Sequence, residues 1–369
     1  MNWTEYTLGE LLSYEQPTNY IVESTKYNDK FLTPVLTAGK TFILGYTNEK
    51  DGIYSDLPVI IFDDFTTASR YVNFPFKVKS SAMKILTPNI ELVIPKFIYY
   101  RMQAIQFDSS THKRYWIQQY SKIKVAVPPI LVQEQIVSRI EELFSKLDKG
   151  VETLQTIKQQ LAVYQQVILK EEFAETTKYA PFGTIMQSRL GKMLDKKKNT
   201  GVLQRYLRNI NVRWFSFDLS DIQQMKIEPS EHEKYSIEPG DLIICEGGEP
   251  GRCAVWESSE TVYYQKALHR VRFCADKNPK YYMYYLWYAA QCGKLSSYFT
   301  GTGIKHLTGQ SLERVPVPVI ERENQDSVVE RIETHLSVCK SIEMTICTAL
   351  MQADAMRQSI LKQAFEGEI

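Results

Sequence analysis

From Ile140 the apolar positions of the chain recur in steps of seven: Ile140, Leu147, Leu154, Leu161 and Ile168. A second row follows at Leu143, Gly150, Ile157 and Tyr164. An a/d pattern sustained over four heptads predicts a long helix with a narrow apolar seam. The spacing returns towards the C-terminus as Ile332, Cys339, Ile346, Ala353 and Ile360, flanked by His335, Ile342, Ala349 and Met356. Pro128 and Pro129 precede the first pattern, and Pro316 and Pro318 the second. Each set of prolines stops an alternating Val-x-Val strand and allows a helix to start just after it. Gly367 offers a stop for the second helix. Arg139 to Phe173 spans 35 residues, about 50 Å at ~1.5 Å per residue. Such a seam must be covered. The simplest arrangement packs the two helices against each other, antiparallel, with Gly150, Cys339, Ala349 and Ala353 letting the backbones approach. Pairing with another chain is the alternative. His335 reads as a partly buried polar residue, because no second metal ligand stands four residues away.

The remaining stretches carry a different pattern. "LPVIIFDDF", "AMKILTP", "GDLIICEGGEPGRCAVW" and "ALHRVRFC" are rich in β-branched and aromatic residues and are punctuated by Gly, Pro, Asn and Asp. They predict twisted sheet with short helices such as "PKYYMYYLWYAAQ". "GDLIICEGGEPG" predicts a strand running into a glycine-rich hairpin. The chain also repeats itself. "KVAVPPILVQEQ" at Lys124 returns as "RVPVPVIERENQ" at Arg314, a shift of 190 that sets Gln135 against Gln325. "RIEELFSKLDKG" at Arg139 and "ILKEEF" at Ile168 return at Arg331 and Ile360, a shift of 192. "IPKFIYY" at Ile94 resembles "NPKYYMYY" at Asn278, and Phe107 and Lys113 face Phe299 and Lys305. A period this long is a duplicated domain, since solenoid repeats run about 20–50 residues. The expected fold is α+β: two similar mixed α/β domains, residues 1–128 and 177–318, separated by two long antiparallel coiled-coil helices, 129–176 and 319–369, with pseudo-twofold internal duplication.

Composition narrows the class. The chain is 44% hydrophobic and 24% charged, ordinary for a soluble protein. No apolar run reaches the ~18 residues of a membrane span, and the polar, acidic start "MNWTEYTLGE" is unlike a signal peptide. The expectation is a cytoplasmic protein with no membrane partner. All six cysteines lie beyond residue 244 without a C-x-x-C pair, which predicts reduced, mostly buried thiols and no zinc ribbon. Net charge is +1, but residues 1–128 and 174–318 carry +2 and +5, and residues 129–173 and 319–369 carry −2 and −4. Positive globular parts hint at a polyanionic partner.

Catalytic motifs are missing. "AGKT" at Ala38 has Pro34 where a P-loop needs glycine. "NPKYY" at Asn278 departs from the methyltransferase pattern Asn-Pro-Pro-Tyr at Lys280, and "LDKKK" at Leu194 lacks an upstream acid. No catalytic residue and no metal ligand is assigned. Basic, polar loops stand out instead. "HKRYWIQQYSKIK" from His112 has no acid, "GTGIKHLTGQSLER" from Gly301 is its counterpart, and the basic run from Ser188 to Trp214 has Asp195 as its one acid. Such stretches suit phosphate contacts with base readout by Arg, Asn and Gln. The candidates are Lys113, Arg114, Tyr115 and Gln118 in the first half. In the second half they are Arg189, Lys192, Arg205, Arg208, Asn209, Asn211, Arg213, Lys305 and His306.

The order of globular domain, long helix, globular domain, long helix, with each helix entered through Val-x-Val-Pro…Gln and closed by Ile-Leu-Lys-x-x-Phe, resembles the specificity subunit of type I restriction-modification systems. The second half carries the resemblance best, through "RYLRNINVRWFSFD", "GDLIICEGGEPG" and "YFTGTGIKHLTGQSLERVPVPVI". The first half departs where "FDDFTTA" at Phe62 stands without glycines. The resemblance implies two target-recognition domains, each reading half of a bipartite double-stranded DNA target, and two helices that space them and hold two modification (methyltransferase) subunits. It implies no cofactor on this chain: S-adenosylmethionine belongs to the modification subunits, and ATP to restriction/motor subunits. Helices about 50 Å long imply half-sites roughly one to one and a half turns of DNA apart. Three other readings stand beside it. A stand-alone methyltransferase or nuclease needs a full motif. A specificity module of another methyltransferase-nuclease or defence complex uses the same parts. A coiled-coil scaffold without nucleic acid is separated by salt-dependent DNA binding.

Overall fold

Val59, Ile60, Ile61 and Phe62 are all fully buried, because their strand serves two cores at once. Val59 and Ile61 face a small core with Leu36, Val72, Phe76 and Ile85. Ile60 and Phe62 face a larger one with Phe97, Trp116, Tyr120, Ile140 and Phe365. Side chains alternate across a strand, so a continuous apolar run is what a doubly covered strand requires. The computed structural model describes residues 3–39, 41–111, 113–174, 177–195, 199–274 and 276–368. These fall into two compact units, residues 1–154 with 347–369, and residues 155–346.

In the first unit, four antiparallel strands lie in the order Leu12–Glu15, Met83–Pro88, Val59–Asp63, Ser69–Val72. A second sheet has the order Ile43–Thr47, Thr33–Leu36, Lys77–Val78. Helix Pro95–Gln103 covers the larger core. The strand Lys124–Val127 pairs with Thr4–Thr7 and leads into the first long helix, Ile130–Ala174. In the second unit the order is Met186–Leu190, Leu268–Phe273, Leu242–Cys245, Cys253–Val255. Leu242 and Ile244 face one core, Ile243 and Cys245 another. The second sheet here has the order Gln223–Ile227, Val202–Leu207, Val262–Tyr264, Ser236–Ile237. Helix Pro279–Gln291 matches Pro95–Gln103, and strand Pro316–Pro318, paired with Tyr179–Pro181, leads into the second long helix, Arg322–Glu366.

One buried glutamine at each helix entrance fixes the repeat register. Gln133 accepts from Ile94 N (2.8 Å) and donates to the carbonyls of Pro128 and Leu92. Gln325 accepts from Asn278 N (2.7 Å) and donates to the Ile320 carbonyl. Both are fully buried, so each satisfies backbone groups that would otherwise be orphaned. The partner of Gln325 is therefore Gln133, at the 192-residue shift of the helices. Gln135, which the Val-x-Val phrase sets against Gln325, is exposed. The ion pairs Lys96–Glu141 (2.5 Å) and Lys280–Glu333 (2.9 Å) repeat the same junction.

Each long helix has 45 residues, more than the 35 expected from the seam, because its first turns pack on the globular part through Gln133, Ile136 and Val137. Within the second unit the helices run antiparallel: Glu172 pairs with Arg331 (2.6 Å), Tyr164 faces His335, and Leu161 and Ile168 close on Cys339. Within the first, Asp148 pairs with Arg357, whose guanidinium lies over the Phe144 ring, and Ile140 shares its core with Leu361, Ala364 and Phe365. Of the seam positions, Ile140, Leu161, Ile168, Ile332 and Ile346 are buried, and Leu143, Leu147, Leu154 and Ile360 are half-buried. Ile157, Tyr164, Ile342 and Met356 are exposed, since two helices cover only a narrow stripe of each other. Gly150 does not serve close approach, for a Cβ there would meet nothing within 4 Å. Gly367 ends the second helix with φ +80°. All six cysteines are free, but Cys274, Cys292 and Cys347 are exposed, so burial accounts for only half of them. Among the described residues no helix is long and apolar enough to cross a membrane, and no cluster of His, Cys, Asp and Glu gathers to hold a metal.

Candidate nucleic-acid interface

Each unit builds the same device: a hairpin with a polar loop clamped over it. In the first unit the hairpin after Val59–Asp63 closes through Asp63 N to Ala68 O (2.8 Å) and Thr67 N to Asp63 O (2.9 Å). Thr67 takes φ 59°, and the Asp63 carboxylate accepts from the amides of Phe65 and Thr66. In the second unit Cys245 N donates to Arg252 O (2.8 Å) and Gly251 N to Cys245 O (2.9 Å), with Gly251 at φ 91°. The closure is the same although "FDDFTTA" has no glycine and its loop is two residues shorter.

The clamped segments also correspond. Tyr115 N donates to Asp64 O (2.9 Å), and Leu307 N to Glu246 O (2.7 Å). Beneath them the two units differ. The Asp64 carboxylate accepts from Trp116 N (2.8 Å) and pairs with Lys84 at 3.4 Å, both side chains almost wholly buried. The place of Lys84 on its strand is taken by His269, whose Nε2 lies 3.0 Å from the Leu307 carbonyl and whose burial lowers its pKa. A carbonyl only accepts, so Nε2 is the ring nitrogen that carries the proton and donates. These supports, Asp64, Lys84 and His269, escape a search for exposed basic residues. Their signal is a charged residue at an inward position of an alternating strand, in "AMKIL" and "ALHRV".

In the first unit Tyr115 and Trp116 point inward, Tyr115 against Phe107 and Trp116 against Phe62. That turn sends Lys113, Arg114 and Gln118 outward, all exposed. Arg114 lies over the Phe65 ring at 5.9 Å, and among the described residues neither Lys113 nor Arg114 has an ion-pair partner. Tyr115 is a correction: it is 2% exposed and anchors the loop, so it offers no surface to a ligand.

In the second unit Asn209 donates to Gly247 O (2.9 Å) and accepts at its own carbonyl from Arg252 (3.0 Å), so Asn209 sits on the hairpin. His306 packs on Gly247, where a Cβ would come within 3.0 Å of the imidazole. Lys305 is exposed and, among the described residues, reaches only the Gly301 carbonyl (3.1 Å). Arg189 is exposed on the edge strand. Arg205, Arg208 and Arg213 are tied to Glu260, Asp221 and Asp218. The Arg208 hydrogen bond holds the Asp221 carboxyl below its ordinary range. Two further corrections follow. Lys192 is buried and paired with Glu231, and Asn211 is buried with its amide closing the turn on Arg208 N and Asp218 O. Burial removes both from direct contact. His112 and Lys196–Lys198 of the basic runs lie outside the described residues.

Comparison with known proteins gives these features a context. Residues 1–162 match the family described as type I restriction modification DNA specificity domain. The chain is 43% identical over 174 residues to the type I restriction enzyme EcoR124I/EcoR124II specificity subunit of Escherichia coli, covering 44% of this chain and 43% of that one. The chain thus matches less than half the length of this relative. A chain solved in work on complex assembly and conformational transition of the type I R-M system is 15% identical, with a TM-score of 0.75 over 100% of this chain and 98% of that one. The HsdS subunit from Thermoanaerobacter tengcongensis, also 15% identical, gives 0.57 over 100% and 97%. At such identity the likeness is one of fold.

Proposed function

We propose that this chain belongs to the type I restriction-modification DNA specificity family, a reading supported by the match over residues 1–162 and by the relative 43% identical over 174 residues, and that it is the DNA-recognition subunit of a type I complex. Residues 1–128 and 177–318 each read one half of a bipartite double-stranded target. The helices of 129–176 and 319–369 space the two domains and dock two modification subunits. The subunit itself is non-catalytic. S-adenosylmethionine and adenine methylation belong to the modification subunits, and ATP-dependent cleavage to restriction/motor subunits that join them.

The observation that carries this reading is the repeated clamp. Two hairpins present equivalent basic loops, Lys113–Arg114 and Lys305–His306, with no carboxylate paired to Lys113, Arg114 or Lys305 among the described residues. Unpaired, exposed cations on a rigid support suit a polyphosphate backbone, and the exposed Gln118 beside Lys113 and Arg114 suits a base edge. Docking of partner subunits is supported by apolar side chains that the helices leave exposed, such as Leu131, Val163, Val167, Val338 and Met351. Isolated exposed apolar residues are ordinary, but several along two long helices suit a protein partner.

The test is binding by the assembled complex across a salt series. Lys113→Ala and Lys305→Ala each reduce the slope of log affinity against log salt by about 0.9 for every phosphate contact removed. If both variants keep the parent affinity and slope, these loops face solvent and the interface is misassigned.

A further inference from the structure

We infer that the second globular domain holds a separate site for a phosphate oxyanion of the DNA backbone, built from Arg189, Lys234 and Arg270, and that the first domain lacks it. The inference rests on the DNA-recognition reading.

Strand Met186–Leu190 pairs with Leu268–Phe273 so that Arg189 stands opposite Arg270 and Gln187 opposite Arg272. Residues two apart on a strand share a face, so three guanidinium groups gather on one side of two strands. Like charges placed directly opposite are destabilising. Arg272 is neutralised by Asp241 (2.7 Å) and Glu238 (2.9 Å). Arg270 is not. It is 7% exposed and has no ion-pair partner among the described residues: it donates to the carbonyls of Ser236 and Glu233 and lies over the Tyr264 ring at 5.7 Å, and Asp241, already bound to Arg272, acts on it through space. Arg189 has no ion-pair partner among the described residues, and Lys234 rests over the Tyr235 ring at 5.1 Å.

These groups line a cavity of about 470 Å³ with Ser230 and Glu233. Among the described residues Glu233 is the one carboxylate lining it, against Arg189, Lys234, Arg270 and the already paired Arg272, so a net positive charge faces an open hollow. Guanidinium groups present forks of donors that match tetrahedral phosphate oxygens. At the corresponding cross-strand positions of the first domain stand Glu15 opposite Ile85, and Ser13 opposite Thr87. None of these four side chains supplies a cation. The asymmetry agrees with the net charges of +5 and +2 on the two globular segments.

The experiment uses the assembled complex and the exposed pair Arg189→Gln/Lys234→Gln, which leaves the buried Arg270 and its carbonyl bonds intact. Affinity for target and for unrelated duplex is measured across a salt series, and inorganic phosphate binding to the DNA-free complex is followed by phosphorus NMR line broadening. The expected result is an equal loss of affinity for both duplexes, about tenfold, and a salt slope reduced by about one to two units, with the methylated motif unchanged. Parent affinity and slope in the variant overturn the inference. Phosphate broadening that the variant abolishes, alongside an unchanged DNA slope, overturns it too, because the site would then take a free phosphate. If the parent complex shows no salt-dependent DNA affinity at all, it is the recognition reading that fails.

Discussion

The two globular halves clamp equivalent loops over equivalent hairpins, but they support the clamp by opposite chemistry. In the first, Lys84 and Asp64 form a buried ion pair whose carboxylate also holds Trp116 N. In the second, a buried neutral imidazole, His269, meets the Leu307 carbonyl. The backbone geometry is common to both, Tyr115 N to Asp64 O and Leu307 N to Glu246 O. Duplication thus preserved the loop's seat and let the support beneath it diverge. A buried charge must be matched by another charge, whereas a buried neutral donor needs only an acceptor. The two halves should therefore fail differently.

Lys84→Met is expected to have the largest effect. It leaves Asp64 buried without its cation, which costs about 3–5 kcal/mol. Urea unfolding of the purified chain checks this. A loss below ~1 kcal/mol would mean that Asp64 is solvated and that the pair does not support the loop. His269→Leu removes one donor and strands the Leu307 carbonyl, costing about 1–3 kcal/mol. It should come out below Lys84→Met in the same assay, and the reverse order would break the comparison.

The halves should also separate by pH. Burial holds the folded pKa of His269 below its unfolded value. As pH falls below the ordinary histidine range near ~6.5, the unfolded chain takes a proton that the folded chain refuses, so stability is lost with falling pH. Denaturation at pH 7.5 and 5.5 should show that loss shrinking in His269→Leu. An unchanged pH difference would mean that His269 is charged in the folded protein.

The hairpins give the smallest contrast. Gly251 has φ 91°, and a Cβ there would meet Leu295 at 2.8 Å. Gly251→Ala should cost about 1–2 kcal/mol or slightly more. Thr67 already bears a positive φ of 59°, so Thr67→Gly should shift stability by less than about 1 kcal/mol, in the stabilising direction. Differential scanning calorimetry resolves the two, and equal effects would show that the closures are not equivalent.

What was legible in the sequence follows from what one dimension encodes. The heptads of Ile140 and Ile332 announce the long helices because seam periodicity is local. The same periodicity misses the turns from Ile130 to Ser138, which pack on the globular part rather than along the seam. The Val-x-Val phrase aligned Gln135 with Gln325 because alternation tolerates a shift of two. Only the hydrogen bonds of Gln133 to Ile94 and Pro128 reveal the true partner. A basic run gives charge without direction, so it does not distinguish the buried Tyr115, Lys192 and Asn211 from surface residues. The neighbouring Lys113 and Arg114 point outward because Tyr115 is anchored. The supports Lys84, Asp64 and His269 escape a search for exposed basic residues, and their one local mark is the inward register of Lys84 and His269 on alternating strands.

The central claim is that each globular half reads its own part of one DNA target. It is tested most directly by methylome sequencing of a host that expresses the chain with its modification subunit, before and after residues 1–128 are replaced by the matching domain of a related subunit. The predicted result is a bipartite methylated motif in which the replacement changes one half and leaves the other as it was. A motif altered in both halves, or a motif untouched by the exchange, would contradict it.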